Sequence, residues 1–341
     1  MKITIQEATT KNKWDAFITS HPEANFLQSW DFYEFYKNYG HEIVRRVATD
    51  ENNKIIAAYA GQVEPAKRGR HLAIAGGPIL DWNNKSLVKA IFKDIAAQGN
   101  NLNCAFVRIR PQLELSDKSL ALFKNLGLKK APMYLSVEYA GVLDLTLSEE
   151  DLLKNMRQRL RRALRKAEKN NITVEKSTNP ADAHEFYRIQ METAKRHEFF
   201  AFSEDFLVKQ FAAFAENNEA VLYTAKYEGE ILAQNMMIFY GNEASYHYGA
   251  STALGTKLSG APLLHLTAMR DAKSRGIKRY NLWGIVDEDD VNHRFYGVSV
   301  FKRGFGVKEL KYLPAHDLIL KPLSYQKTKL IETLRKKLRH V

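Results

Sequence analysis

One order of elements is written twice along this chain, and a repeat of that length confines the fold more tightly than any single motif. In the first copy, 44–63 reads as two strands around the turn Asp50-Glu-Asn-Asn-Lys54, and His71-Leu-Ala-Ile-Ala75 as a short buried strand closed by Gly76-Gly77-Pro78. An amphipathic helix over 84–98 follows, with Leu87, Ala90, Ile91, Phe92 and Ile95 at helical spacing and Gly99 expected to stop it. Cys104 to Arg110 is the next strand, ended by Pro111. In the second copy, 220–226 and 231–240 form a strand pair turning at Glu228-Gly229, and 244–248 is a strand. A loop rich in Gly, Ser and Thr over 249–260 leads to a helix with Pro262 in its first turn and Gly276 past its end. Tyr280-Asn-Leu-Trp283 is the closing strand. The copies lie about 170 residues apart and share little sequence, so the pattern alone carries the duplication.

The expected architecture is α/β: two domains built on one plan. A strand over Ile3 and Ile5 and an aromatic helix over 30–39 precede the first copy. The boundary falls near Leu143 to Glu150, where Ser148-Glu-Glu-Asp151 starts a helix. This gives a first domain of 1–145, completed by 318–341, and a second of 146–317. The tail from Leu323 is a basic helix with Leu330, Leu334 and Leu338 on one side. Such a helix suits an anionic membrane surface or its own domain, and docking on the domain is the favoured reading.

At 341 residues with 45% hydrophobic and 11% aromatic residues, the chain can build real cores. The single Cys104 excludes an internal disulfide and fits a reducing compartment. No signal pattern opens the chain and no apolar stretch could span a bilayer, so a cytoplasmic protein is expected. Lys+Arg 51 against Asp+Glu 39 gives +12, which favours a polyanionic partner without naming it.

The densest signal is a helix expected over 152–169. Leu153, Met156, Leu160, Leu164 and Ala167 form its apolar stripe. Around the stripe stand Lys154, Arg157, Arg159, Arg161, Arg162, Arg165, Lys166 and Lys169, opposed by Glu168. Unrelieved like charges at helical spacing repel, so this face reads as built for phosphates, with a merely solvated helix as the alternative. The ten histidines show no ligand spacing, and no metal site is expected. Asp287-Glu-Asp-Asp290 reads as a solvated loop rather than a Mg²⁺ site. The segment Lys257-Leu-Ser-Gly-Ala-Pro262 would present backbone N–H groups at a helix start, where a GNAT acetyltransferase holds a pyrophosphate. Lysine replaces the usual Arg or Gln and Pro262 deletes a donor, so coenzyme A binding is disfavoured. In Phe295–Gly306, two glycines after an expected strand leave Lys302 and Arg303 near its end, either as an oxyanion or phosphate site or as an ordinary basic turn.

Together these segments resemble the Fem family (FemABX), the peptidoglycan-bridge aminoacyltransferases. The resemblance rests on Phe26-Leu-Gln-Ser29 before the aromatic helix, Arg161-Arg-Ala-Leu-Arg-Lys-Ala-Glu-Lys169 with Asn171-Ile172, and Glu192-Thr-Ala-Lys-Arg196. Tyr246-His-Tyr-Gly-Ala-Ser251, Gly260-Ala-Pro262, Tyr280-Asn-Leu-Trp-Gly-Ile285 and Phe301-Lys-Arg-Gly-Phe-Gly306 follow in the family's order. It implies two GNAT-like domains of mixed sheets flanked by helices, with the chain's end returning to pack on the first. With no coiled-coil heptads between Asn171 and Ser251, the chain resembles the compact members without a helical arm.

The resemblance further implies aminoacyl transfer from aminoacyl-tRNA to the stem peptide of a precursor, UDP-MurNAc-pentapeptide or its lipid-linked form (lipid II), with no cofactor. By position, Lys302 matches the lysine near the reacting ester. Arg196 and Tyr248 match precursor-contacting positions, Tyr246 is a second choice on the same strand, and Lys37 sits near the lysine that grips the diphosphate. The basic positions Arg157, Arg161, Arg162, Arg165 and Arg303 are the candidates for tRNA phosphates. Two departures bear on mechanism. Arg110 stands where some members carry an acidic residue, so no carboxylate base is assigned, and Ser299 and Val307 replace an expected tyrosine and glycine. A monomer is expected, with peripheral contact at the inner face of the plasma membrane where the acceptor is lipid-linked. The competing readings are a GNAT-type acyltransferase using acyl-coenzyme A and a non-catalytic RNA- or membrane-surface-binding protein.

Overall fold

The computed structural model describes residues 2–65, 69–197 and 200–339. Contacts divide the chain into two compact units, one taking in residues to Glu138 and again from Lys311, the other Tyr139–Leu310. In chain order the first unit carries β1 (Thr4–Glu7), α1 (Lys11–Thr19), a tight turn at Phe26–Gln28, α2 (Trp30–Asn38), β2 (Ile43–Thr49), β3 (Ile55–Glu64), β4 (His71–Gly76), β5 (Ile79–Leu80), α3 (Lys85–Asn101), β6 (Phe106–Pro111), α4 (Asp117–Asn125) and β7 (Lys129–Lys130). The second carries β8 (Tyr139–Asp144), α5 (Glu149–Asn155), α6 (Gln158–Lys169), β9 (Thr173–Ser177), α7 (Asp182–His197), α8 (Glu204–Ala215), β10 (Ala220–Tyr227), β11 (Glu230–Tyr240), β12 (Glu243–Ser251), α9 (Ala253–Leu258), α10 (Gly260–Ser274), β13 (Arg279–Gly284), α11 (Tyr296–Arg303) and β14 (Lys308–Lys311). The chain then returns to the first unit with β15 (His316–Ile319) and α12 (Pro322–Arg339).

The two sheets repeat one plan. The first runs β1-β2-β3-β4-β6-β15-β7 with β5 beside β3, and the second β9-β10-β11-β12-β13-β8-β14 read from its other edge. Each has a parallel pair in the matching place, β4 with β6 and β12 with β13, reached through helical connections as parallel strands require. The sixth place differs in origin. In the second sheet β8 fills it from upstream, pairing with β13; in the first it is filled by β15, from near the chain's end, pairing with β6. Thus 139–144, read from sequence as the end of the first domain, is a strand of the second sheet, and His316 and Asp317 belong to the first. Strand pairing, which local pattern does not encode, moves both boundaries.

Core positions follow the expected periodicities. Leu87, Ile91, Phe92 and Ile95 of α3 pack on Leu72, Ile74, Val107 and Ile109 of the first sheet. Gly99 does not stop α3. It lies inside the helix, where an added Cβ would stand 2.6 Å from Leu320 and 2.7 Å from Val107, so the residue is glycine for close packing. In the second unit the helix expected over 152–169 is two, because Met156 and Arg157 are extended and break it. Leu152, Met156, Leu160, Leu164 and Ala167 all still reach the core. The expected loop over 249–260 is also mostly regular: β12 continues to Ser251, α9 follows, and Ser259 alone, at φ 64°, separates α9 from α10.

The C-terminal helix α12 docks on its own unit, but not through Leu330 and Leu334; the side chain of Leu338 lies outside the described residues. Tyr325, Thr328 and Glu332 are buried, whereas Leu330 and Leu334 are exposed. Arg108 of β6 donates from Nε and Nη2 to Asp317 of β15 at 2.8 and 2.9 Å, and from Nη1 and Nη2 to Glu332 of α12 at 3.2 and 2.8 Å. Tyr325 Oη donates to Asp317 at 2.9 Å. A buried charge demands such partners, so this cluster fixes where the helix sits.

Candidate active site

The second sheet opens where β12 and β13 part. Their parallel ladder covers only Glu243–Ser245 against Arg279–Asn281. Glu243 holds the closed end together, accepting from Ser245, Asn281 and Arg279. Beyond it each strand is irregular. On β12 the register against β11 shifts so that Tyr246 faces Met237 and Tyr248 faces Met236, leaving His247 as a bulge residue. On β13 Trp283 takes φ 65°, a conformation costly for a large side chain, with its N–H held by Asn281 Oδ1 at 2.8 Å. The His247 and Trp283 rings meet edge to face, 5.9 Å apart.

Lys302 stands at this opening. It lies on α11 rather than after a strand, and it is buried. Its Nζ donates to the Gly284 carbonyl at 2.7 Å and sits 5.4 Å from the Tyr246 ring centre. Burial pulls its pKa from 10.5 down to about 7. An ammonium has three donors, and the other two have no partner among the described residues. His265 of α10 packs edge-on to Tyr246, bonds Tyr280 Oη at 2.9 Å and is held neutral, its pKa lowered to about 3 by burial and then by Lys302. Tyr246 is pushed up to about 12 by burial and stays a phenol. Its ring lies over Gly249, where a Cβ would meet the Tyr246 hydroxyl at 1.7 Å, so the glycine makes room for it.

The bulge separates the two tyrosines that simple alternation would put on one face. Tyr246 turns to α10 and Lys302. Tyr248 turns to the α7–α8 side, 5.7 Å from Phe202. Arg196, exposed on α7, donates to the Ser251 carbonyl and hydroxyl at the end of the same strand. The structure therefore brings Lys302 together with Tyr246, and Arg196 to the strand end beyond Tyr248. Lys37 is exposed in the last turn of α2, in the other unit.

The basic residues divide by what they touch. Arg161 Nη1 donates to the Lys154 and Met156 carbonyls at 2.8 Å each, closing the end of α5. Arg303 is buried, bonded to Glu309 at 2.5 Å and the Val286 carbonyl at 2.6 Å. It ties the loop after β13 to α11, beside Ser299, whose hydroxyl accepts from the Val286 N–H at 3.0 Å. In contrast, Arg159, Arg162, Arg165, Lys166 and Lys169 are exposed on the face of α6 opposite Leu160, Leu164 and Ala167, and form no ion pair among the described residues. Arg157, at the start of α6, is exposed, and its guanidinium lies 3.8 Å from Glu288, its one ion pair among the described residues. Glu288 belongs to the acidic run 287–290, which lies in the loop between β13 and α11. The expected pyrophosphate loop before Pro262 is α9 and one residue, so no Gly-rich cradle precedes α10.

His265, His247 and Trp283 were not among the site residues expected from the sequence. A helical histidine and a strand tryptophan carry no local signal of function, and Trp283's left-handed backbone is visible only once β13 is built.

A family model described as FemAB family matches residues 9–230 and 215–333. A lipid II:glycine glycyltransferase of Staphylococcus epidermidis is 20% identical, over 96% of this chain and 95% of its own length. Among solved structures, FemX superposes with a TM-score of 0.86 at 20% identity, covering 97% of this chain and 100% of that one. A tandem GNAT protein from the clavulanic acid biosynthesis pathway superposes at 0.57 and 10% identity, covering 93% and 98%. The fold is thus the expected one, two GNAT-like α/β halves in one chain.

Proposed function

The chain belongs to the FemAB family, and we propose that it moves an aminoacyl group from aminoacyl-tRNA to an amine on the stem peptide of a peptidoglycan precursor. It is an aminoacyltransferase of cross-bridge synthesis. The donor and the precursor are this proposal's own. The observation that carries it is Lys302: a buried lysine anchored by one donor, with two donors left over, where β12 and β13 part.

In the reaction, the neutral acceptor amine attacks the ester carbonyl. The C–N bond forms, the bond to the tRNA 3′ oxygen breaks, and the amine's proton ends on that oxygen. Negative charge develops on the carbonyl oxygen between these events. An ammonium preset beside it, out of water, stabilises that charge strongly. Lys302 is assigned this role, with Gly284 fixing its direction and Tyr246 walling its flank. No base is needed once a neutral amine is held against an ester. Tyr248 and Arg196 are assigned to the precursor and Lys37 to its diphosphate. Arg157, Arg162 and Arg165 are assigned to tRNA phosphates, which arginine grips in pairs of hydrogen bonds. Arg161 and Arg303 are assigned a positioning role: Arg161 Nη1 closes the end of α5, and buried Arg303 holds Glu309 and the Val286 carbonyl through Nε and Nη2.

The acyl-coenzyme A alternative is disfavoured by the helix that occupies the pyrophosphate loop and by Pro262, which has no N–H to offer. The test is to incubate the protein with a pool of charged, radiolabelled tRNAs and, in parallel, UDP-MurNAc-pentapeptide or lipid II. Ribonuclease-sensitive label on either acceptor is the expected result and identifies the amino acid. No label on either acceptor, from folded protein, overturns the reading.

A further inference from the structure

The face of α12 opposite its buried side is not a normal solvated surface. At 100° per residue, Tyr325, Thr328 and Glu332 point one way, and Leu323, Leu330 and Leu334 the opposite way. The three leucines are 88%, 63% and 53% exposed. Single exposed leucines need no explanation, but three on one stripe, diametrically opposite the docked face, do. The helix's sequence supplies Lys327, Lys329, Arg335, Lys336, Lys337 and Arg339 against a single acid, Glu332, and that acid is buried on Arg108. Lys327 and Lys329 are exposed and form no ion pair among the described residues. The helix is too polar to cross a membrane.

We propose that the outer face of α12 docks on an anionic lipid bilayer. The leucines would enter the boundary between headgroups and acyl chains while Lys327, beside their stripe, reaches lipid phosphates and the helix's excess positive charge draws it to an anionic surface. An RNA backbone would use the cations but gain nothing from the leucines. A second copy of this helix would cover the leucines but set lysine against lysine. Only an anionic bilayer satisfies both features. The Arg108–Asp317–Glu332 cluster then serves as the rigid mount that turns this face outward.

The experiment is vesicle co-sedimentation of the full chain, with no tRNA or precursor, so its outcome is independent of the transferase reading. Binding is expected to vesicles with about one-third phosphatidylglycerol and not to phosphatidylcholine alone, and it should weaken as salt rises. Leu330→Glu/Leu334→Glu should lower the partition coefficient on the order of a hundredfold, because it removes two inserted side chains. Its urea midpoint should stay unchanged, since both positions are exposed. Lys327→Glu/Lys329→Glu should remove the preference for anionic lipid. Absence of binding by the wild type, equal binding by the leucine variant, or a dimer in solution that the leucine variant dissolves would each overturn the proposal.

Discussion

Replacing Lys302 by methionine should make the protein more stable and the enzyme far worse. The stem stays similar in length while the amine is lost. In the unfolded chain the lysine holds its proton up to 10.5, whereas in the folded protein it releases it near 7. At 1.36 kcal/mol per pH unit, keeping the charged form buried costs about 5 kcal/mol at or below pH 7. Between those values the unfolded state binds more protons, so wild-type stability rises with pH, by up to about 1.4 kcal/mol per unit. Methionine carries no such term. It forfeits the hydrogen bond to Gly284, worth about 1 kcal/mol, so Lys302→Met should gain several kcal/mol near pH 7. By about pH 9.5 the wild type should recover about 3 kcal/mol of that gap. Urea unfolding of both proteins across this range isolates the one titration, because every other group is common to the pair. Transfer should fall about 10²–10³-fold in the variant, the usual cost of removing a donor from an oxyanion. A stability gap constant with pH would refute the desolvated lysine, and near wild-type turnover would refute its role at the ester.

Lys302→Arg keeps its charge at all accessible pH. Wild-type kcat/KM should decline above about pH 7 as the ammonium is lost, and the arginine variant should lack that limb at whatever activity it retains. Arg108→Met strands Asp317 and Glu332 without their cation and should cost about 3–5 kcal/mol by urea unfolding, with α12 cleaved earlier in limited proteolysis. Arg162→Ala/Arg165→Ala should raise the KM for charged tRNA and flatten the salt dependence of binding by about 1–2 log units per log unit of salt, leaving stability within about 0.5 kcal/mol. Gly249→Ala must displace Tyr246 from beside Lys302 and should lower turnover at least about tenfold, whereas Tyr246→Phe keeps the ring in place and should lose less.

Periodicity, turn chemistry and capping determined the elements. The alternation in 44–63 and 220–240, the Glu228-Gly229 turn and Ser148 as a helix cap are local rules, and each acts within a few residues. The repeat of those elements was enough for two α/β units of one plan. The apolar stripe through Leu160 and Leu164 was equally legible, since burial of one helix face requires it. What local rules could not supply were the long-range pairings and the breaks in regularity. Met156 and Arg157 have no helix-breaking chemistry; the helix parts there with Arg161 gathering the freed carbonyls of α5. Gly99 looked like a stop because the side chains of Leu320 and Val107, which forbid a Cβ, come from other strands and the distant chain end. The leucines of α12 suggested a docked face, yet a buried ion cluster with Arg108 captured the other side, because leaving Asp317 and Glu332 unpaired costs more than exposing leucines. The sequence by itself determined most of the elements and their duplication. Tertiary structure alone decided which strand fills each sheet's sixth place, that a bulge at His247 sends Tyr246 and Tyr248 to opposite faces, and that Lys302 is dry. Register, desolvation and charge pairing depend on residues far apart in the chain, and no window of sequence contains both partners.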